Sequence, residues 1–384
     1  MDSEGRLSGD LAEALSRCTG SSATGHSLPA ACYVDPEVAA LEADVIFRQG
    51  WVGVGRSDRW SGTGDYAAID LAGVPVVVVR DDDGALRAYA NTCRHRATQV
   101  MEGEGHCTRM RCPFHFWTYG LDGRLLGAPS MQQSEGFDRG DHGLHEFVVA
   151  ERHGFAFVSL EASPPAIDGW LGDFGAVHER WDLASLATTR RREFTVDCNW
   201  KEFAEVFNEY YHLPYVHPGS IDDTYDEPDA PDEVSGAWST HSSSTQGTGG
   251  LLEADQAKAL PVIGSLDERE ANGVRYSWLH PTMVIATGAE GMWMYEVYPD
   301  GPDRCRCAQV VCFPPETIAL ERFAEVAEAY YERFDVAISE DIPMLERQHR
   351  GMRSPFAGQG RFSHLEPNVA RFAGWYADRL LSVG

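Results

Sequence analysis

Two short pairs of soft metal ligands stand close together in this chain: Cys93-x-His95 and, after sixteen residues, Cys112-x2-His115. The stretch from Cys93 to His115 carries three of the nine Cys and three of the fourteen His. Thiolates and imidazoles presented in pairs from two neighbouring loops can grip a metal on a β scaffold. Two chemistries use this ligand set. One is a structural Cys2His2 zinc ion, and the other is an iron–sulfur cluster with two Cys on one iron and two His on the other. Spacing leaves both open. His106 and Cys107 lie between the pairs.

A second group lies in NEYYHLPYVHP. Glu209 and His212, three apart, would share one face of a helix. His212 and His217, five apart, would point about 140° apart on a regular helix. Pro214 between them breaks the helix, which lets both rings face one ion. Two His and a carboxylate form the facial triad of oxygen-activating Fe(II) sites. The helical pattern ETIALERFAEVAEAYYERFDVAISEDIPMLERQHRGM offers Asp335, Glu340, Asp341 and Glu346. Adjacent Glu340 and Asp341 point about 100° apart, so at most one faces the ion. Spacing does not choose among the four.

Holding these groups takes two kinds of scaffold. Residues 45–160 read as a small all-β domain: VPVVVVR and LRAYAN flank DDDG, a hairpin signal, and short alternating segments follow. A helix over about Pro36–Gln49 leads into it. Beyond Pro164 the pattern becomes strand, helix, a long irregular connection, three antiparallel strands (RYSWLHPTMVIATG, GMWMYEVYPD, CRCAQVVCFPP) and the long helix. The fold class is α+β, with residues 28–44 and 161–384 forming the second domain. Residues 1–27, rich in Ser, Gly and Asp, read as a mobile arm. IDDTYDEPDAPDE, with seven acids, reads as a solvated loop. In GMWMYEVYPD, period two puts Met292, Met294, Glu296 and Tyr298 on one face and Trp293, Tyr295 and Val297 on the other. Such aromatics would suit a quaternary ammonium group, but the pattern does not say which face meets a pocket.

The bulk properties remove several function classes. A net charge of −27 over 384 residues lacks the basic footprint of a nucleic-acid binder. No apolar run approaches the ~18–20 residues of a membrane span, and the polar N-terminus lacks a secretory pattern. The expectation is a cytoplasmic protein. The odd number of Cys has no disulfide-framework spacing. No Gly-rich strand–turn–helix fingerprint suggests that NAD(P)H binds here.

Cys93-Arg94-His95-Arg96 and Cys112-Pro113-Phe114-His115, followed by Trp117-Thr118-Tyr119 and Asp122-Gly123-Arg124-Leu125, resemble the Rieske domain of the Rieske non-heme iron oxygenases. Asn199-Trp200-Lys201, Tyr211 and SEDIPMLERQHRGMRSP are similar to that family's catalytic domain, and the resemblance spans roughly residues 28–380. It implies a [2Fe–2S] cluster with Cys93 and Cys112 on the inner iron and His95 and His115 on the outer one. It implies mononuclear Fe(II) on His212, His217 and Asp341, with Glu209 bridging to a cluster His of a neighbouring subunit. A helix-grip catalytic fold is implied, with an antiparallel sheet around the long helix. So is a homotrimer, because cluster and iron of one chain are too far apart. A separate NAD(P)H-dependent reductase, with or without a ferredoxin, would supply electrons. O2 and a small organic substrate would complete the reaction. Glu at position 209 resembles the branch acting on carnitine, glycine betaine and related quaternary amines. The implied reaction is hydroxylation or oxidative dealkylation. Aromatic-ring cis-dihydroxylation is the alternative within the class, and a zinc-stabilised binding protein the alternative outside it. The family pattern commonly has Gly at positions 97 and 116 and often Asn at 206. This chain has Ala97, Phe116 and Val206.

Overall fold

The structure is a computed structural model that describes residues 7–382. The chain divides into two units, one of residues 47–167 and one of residues 1–46 with 168–384.

The 47–167 unit is all β. Its larger sheet is antiparallel, in the order β1-β10-β9-β4-β3-β2-β5: β1 (Val52–Arg56), β2 (Asp65–Leu71), β3 (Val74–Arg80), β4 (Leu86–Ala90), β5 (Glu104–His106), β9 (Glu146–Arg152) and β10 (Phe155–Ser159). The run Val76 to Val79 is buried on both faces, which explains its lack of alternation. The DDDG turn forms as its sequence demands. The Asp81 carboxylate accepts from the Asp83 and Ala85 amides, and Gly84 takes a left-handed φ of 79°. A small sheet, β6 (Met110–Arg111), β7 (Thr118–Tyr119) and β8 (Leu125–Gly127), closes the unit.

The other unit carries a six-stranded antiparallel sheet in the order β11-β16-β15-β14-β13-β12: β11 (Ala187–Val196), β12 (Trp238–Ser244), β13 (Gly273–Leu279), β14 (Met283–Thr287), β15 (Met292–Pro299) and β16 (Cys305–Phe313). The run RYSWLHPTMVIATG is two strands, not one. It turns at residues 280–282, where Pro281 removes a ladder donor. The 30-residue helix Phe323–Met352 packs on the sheet, with the Phe334 ring stacked 4.9 Å from that of Trp293.

The N-terminal stretch departs from the expected mobile arm. Residues 1–6 lie outside the described residues. From there, a helix at Gly9–Ser16 with a Ser8 N-cap buries Leu11, Ala14 and Leu15, and Cys18 follows, fully buried. The polar composition hid an apolar face at helical spacing. A short helix at Ala31–Val34 follows, and the helix expected over about Pro36–Gln49 runs Pro36–Glu42 and continues as a π-helical turn, Ala43–Phe47. The acidic segment after His217 is tethered: the amides of Asp226, Asp229 and Asp232 bond to carbonyls of β12, and Arg269 and Arg275 pair with Asp229 and Asp232.

Two buried polar clusters tie the helices together. Glu42 takes Lys201 Nζ at 2.5 Å, Trp200 Nε1 at 2.6 Å and the Tyr376 hydroxyl at 2.8 Å. Glu205 accepts the Tyr33 hydroxyl at 2.7 Å. Burial raises the Glu205 carboxyl to about 8. An acid whose folded pKa lies above its unfolded value stabilises the fold fully below the unfolded pKa, and that contribution disappears as pH rises through the folded one. Stability should therefore fall between about pH 4.5 and 8 on this account. In Glu205→Gln, which keeps an acceptor for Tyr33, the urea midpoint should fall less over that range than in the parent chain.

Candidate functional site

The two ligand loops of the all-β unit are built alike. In each, the amide four residues on bonds back to the Cys carbonyl, Ala97 to Cys93 at 2.9 Å and Phe116 to Cys112 at 3.1 Å. Each Cys amide bonds to the carbonyl five residues on, Thr98 or Trp117. Both closing residues, Ala97 and Phe116, sit at φ 61°, the left-handed region where Gly is at ease. Cys93 and Cys112 are buried, and burial with the neighbouring Cys93 sulfur raises the Cys112 thiol. His95 is exposed and His115 half-buried, with ring centroids 4.7 Å apart. Desolvation, then His115 and Arg96, lower the pKa of His95, favouring the neutral imidazole that binds metal. Two inward sulfurs beneath two outward imidazoles fit a mixed-ligand [2Fe–2S] cluster. Trp117 stacks on His95 at 5.0 Å, and the Tyr119 hydroxyl lies 3.3 Å from Cys93 Sγ. His106 sits on β5 facing Asp65.

In the other unit, the helix Trp200–Phe207 ends before Glu209, so Glu209 and His212 do not share a helical face. Asn208 stops it by turning its side-chain amide back to the Ala204 carbonyl. Pro214 does not break this helix. It lies in the first turn of a second, short helix, Leu213–Val216, where a missing amide donor costs nothing. The turn between the helices brings Glu209 onto His212: Nδ1–H donates to Glu209 Oε1 at 2.5 Å, and the His212 amide to Oε2 at 3.1 Å.

The long helix supplies two carboxylates to one ring. Glu340 Oε2 accepts His217 Nδ1–H at 2.7 Å and the Ser220 hydroxyl at 2.9 Å. Asp341 Oδ1 lies 3.1 Å from His217 Nε2 and 3.5 Å from His212 Nε2. Side chains 100° apart thus stand at opposite nitrogens of one imidazole. Asp335 turns elsewhere, to Arg190 and Arg192 of β11.

With both Nδ1 protons committed to carboxylates, both Nε2 atoms present lone pairs, and they face each other at 3.1 Å. Asp341 Oδ1 is buried without a hydrogen-bond donor. Three converging acceptors repel unless positive charge sits among them. Burial alone would lower the His212 pKa, yet Glu209 and Asp341 raise it. His212, His217 and Asp341 offer ligand atoms within 4.8 Å of one another, so this donor set fits a divalent cation such as Fe(II).

These three groups border a cavity of about 630 Å³ with its mouth included. It suits a molecule of a few carbons. Phe207, Tyr276, Trp293 and Tyr295 line it, so the Trp293 face of β15 is the inner one. Val206 adds an apolar wall, while Asn208 is held by Ala204 and Asn368. His241, stacked on Tyr276, is lowered to about 4 by burial and stays neutral. Sequence reading missed Arg333, Tyr225 and His241 in this cavity. Only Arg333 left a signal, since Arg333, Ala337 and Asp341 recur at helical spacing.

The sequence pattern of the ring-hydroxylating alpha subunit catalytic domain matches residues 177–382, and that of the Rieske [2Fe–2S] domain matches residues 50–147. The glycine betaine monooxygenase oxygenase subunit of Chromohalobacter salexigens is 28% identical, covering 93% of this chain and 86% of that one. The choline monooxygenase of Arabidopsis thaliana is 27% identical, with 90% and 80% covered. The carnitine monooxygenase oxygenase subunit of Escherichia coli (strain K12) is 28% identical, with 87% of each covered. In fold, the chain resembles a quaternary ammonium Rieske monooxygenase solved with L-carnitine (TM-score 0.77, 21% identity, 97% and 99% covered). It also resembles naphthalene 1,2-dioxygenase from Rhodococcus sp. (TM-score 0.80, 20% identity, 98% and 99% covered).

A side chain in the left-handed region costs about 1–2 kcal/mol. Ala97→Gly and Phe116→Gly should therefore each stabilise the 47–167 unit by up to about 1 kcal/mol, after the entropy Gly adds to the unfolded chain. Phe116 is 55% exposed, so little burial is lost. Thermal unfolding followed at the cluster's visible absorbance checks this.

Proposed function

Because the chain belongs to the ring-hydroxylating alpha subunits, whose catalytic-domain pattern covers more than half of it, we propose that it is a Rieske terminal oxygenase that monooxygenates a small quaternary amine. Cys93, His95, Cys112 and His115 hold the [2Fe–2S] cluster, and His212, His217 and Asp341 hold Fe(II). The bound iron supplies O2 activation, with electrons from NAD(P)H through a separate reductase. The observation that carries the site assignment is the orphaned, buried Asp341 oxygen opposite two imidazole lone pairs.

The chain's own part is orientation and exclusion of water. Glu209 and Glu340 keep both Nδ1 protons, so both Nε2 lone pairs stay aimed inward. His212, His217 and Asp341 would be the three protein groups that hold the iron. Aromatic walls exclude water and can face a quaternary ammonium group. The relatives named for glycine betaine, choline and carnitine support that substrate class. The small cavity, with Arg333, Tyr225 and His241 on its wall, suits a polar molecule better than a polycyclic arene. The working form in this reading is a cytoplasmic homotrimer. In keeping with the location, none of the nine cysteines forms a disulfide, and among the described residues no helix is long and apolar enough to cross a membrane.

Anaerobically purified protein should contain about three iron and two acid-labile sulfide per chain, with a Rieske-type EPR signal after dithionite reduction. Zinc without sulfide would refute the oxygenase reading. Asp341→Ala should lose about one iron per chain and all turnover while the cluster absorbance persists. Loss of cluster colour with turnover retained would overturn the division into two sites.

A further inference from the structure

Arg333 is a buried cation in this cavity, and among the described residues no acid pairs with it. It projects from the long helix, is 5% exposed and lines the cavity wall. Its guanidinium donates to the Tyr225 hydroxyl at 2.7 Å and lies over the rings of Trp293 (5.4 Å) and Phe334 (5.2 Å). Its Nε has no hydrogen-bond partner. The groups that act on its charge are the hydroxyls of Tyr225, Tyr276 and Tyr295. Burial keeps the last two protonated, so they bring no negative charge. Of the acids bordering the same cavity, Glu209 is bonded to His212, and Asp341 stands two helical turns from Arg333, beside His212 and His217. A guanidinium cannot shed its proton, and burying it unpaired is costly.

The helix gives the second observation. Arg333, Ala337 and Asp341 stand at i, i+4 and i+8 on one face, about 12 Å from first to last along the axis, and all three line the cavity. Ala337, with only a methyl group, leaves room between the cation and the metal-binding carboxylate. A small molecule lying along this face would have one end at Arg333 and the other at the triad.

We propose that Arg333 binds a carboxylate of the substrate, so that the pocket selects carboxylates and zwitterions over simple cations. The anchor stands on the cavity itself, while the identity of the reacting end rests on the oxygenase reading above. A planar, forked guanidinium matches a carboxylate with two parallel hydrogen bonds. The same charge repels a cation that brings no anion with it. Trp293 offers less of its face to an ammonium group, since Arg333 and Phe334 already lie against it.

The test is binding to the holoenzyme, by Trp fluorescence and calorimetry, of four probes. Glycine betaine carries both charges. Choline keeps the ammonium but replaces the carboxylate with an alcohol. Tert-butylacetate keeps the carboxylate and replaces nitrogen with carbon. Benzoate is a flat acid. Carboxylates should bind at least about tenfold more tightly than choline, and Arg333→Gln should weaken them about 30- to 100-fold with little effect on choline. Arg333→Lys should restore part of the loss. Choline binding as tightly as every acid, or no binding by any acid, overturns the proposal. The ranking in the unmodified protein decides this even where Arg333→Gln does not fold. Acids that bind while glycine betaine does not would uphold the anchor and sink the quaternary-amine reading. Choline binding without the acids would do the reverse.

Discussion

Three acceptors that repel one another sit at the centre of the larger unit: Nε2 of His212, Nε2 of His217 and Oδ1 of Asp341, within 4.8 Å. No hydrogen bond resolves the arrangement, because each ring has committed its Nδ1 proton to an outer carboxylate. Only positive charge makes it favourable. The surrounding structure holds the three groups in place by geometry that a free chain would not adopt. A helix stops at Phe207, a turn swings Glu209 onto His212, a second helix of four residues presents His217, and the long helix brings Glu340 and Asp341 across from 120 residues away in sequence. Buried ties such as Glu42 with Lys201, Trp200 and Tyr376 fix the helix that leads into this turn.

The smaller unit meets its own constraint differently. Its four proposed ligands sit on two loops with the same hydrogen-bond frame, closed by residues in the left-handed region. Gly would adopt that conformation freely; Ala97 and Phe116 adopt it under strain, held by the two bonds that flank them. Phe116, exposed, also lies within reach of the Arg111 guanidinium at 5.7 Å. The ligand order, sulfur inside and imidazole outside, follows from which loop positions face the core. Each Cys opens a loop on the buried side, and each His lies two or three residues on, near the tip.

Charge is distributed with the same economy in the cavity. Glu209 and Asp341 stand at the two imidazoles, Tyr276, Tyr295 and His241 are neutral, and among the described residues that line the cavity Arg333 is the one permanent cation. An aromatic enclosure by itself would favour any cation. One buried guanidinium reverses that preference for cations that bring no anion.

The sequence alone determined which residue types stand together in the short Cys and His pairs. Cys and His pairs at short spacing can only be close, because two or three residues of chain cannot separate them far. The helical period made Glu340 and Asp341 distinct, and resemblance then chose between them. The DDDG hairpin and the long helix were legible for the same reason: local chemistry fixes local conformation. Tertiary structure decided what lies between distant segments. It ended the helix at Phe207 rather than at Pro214, with the Asn208 side chain also held by Asn368 from far along the chain. It folded the polar N-terminal stretch against the core through a few apolar positions that composition averages away. It chose the Trp293 face of β15 as the inner one, and it left Arg333 buried with no acid paired to it among the described residues. No local pattern encodes these outcomes, since burial and the absence of a partner depend on every segment that packs around a residue.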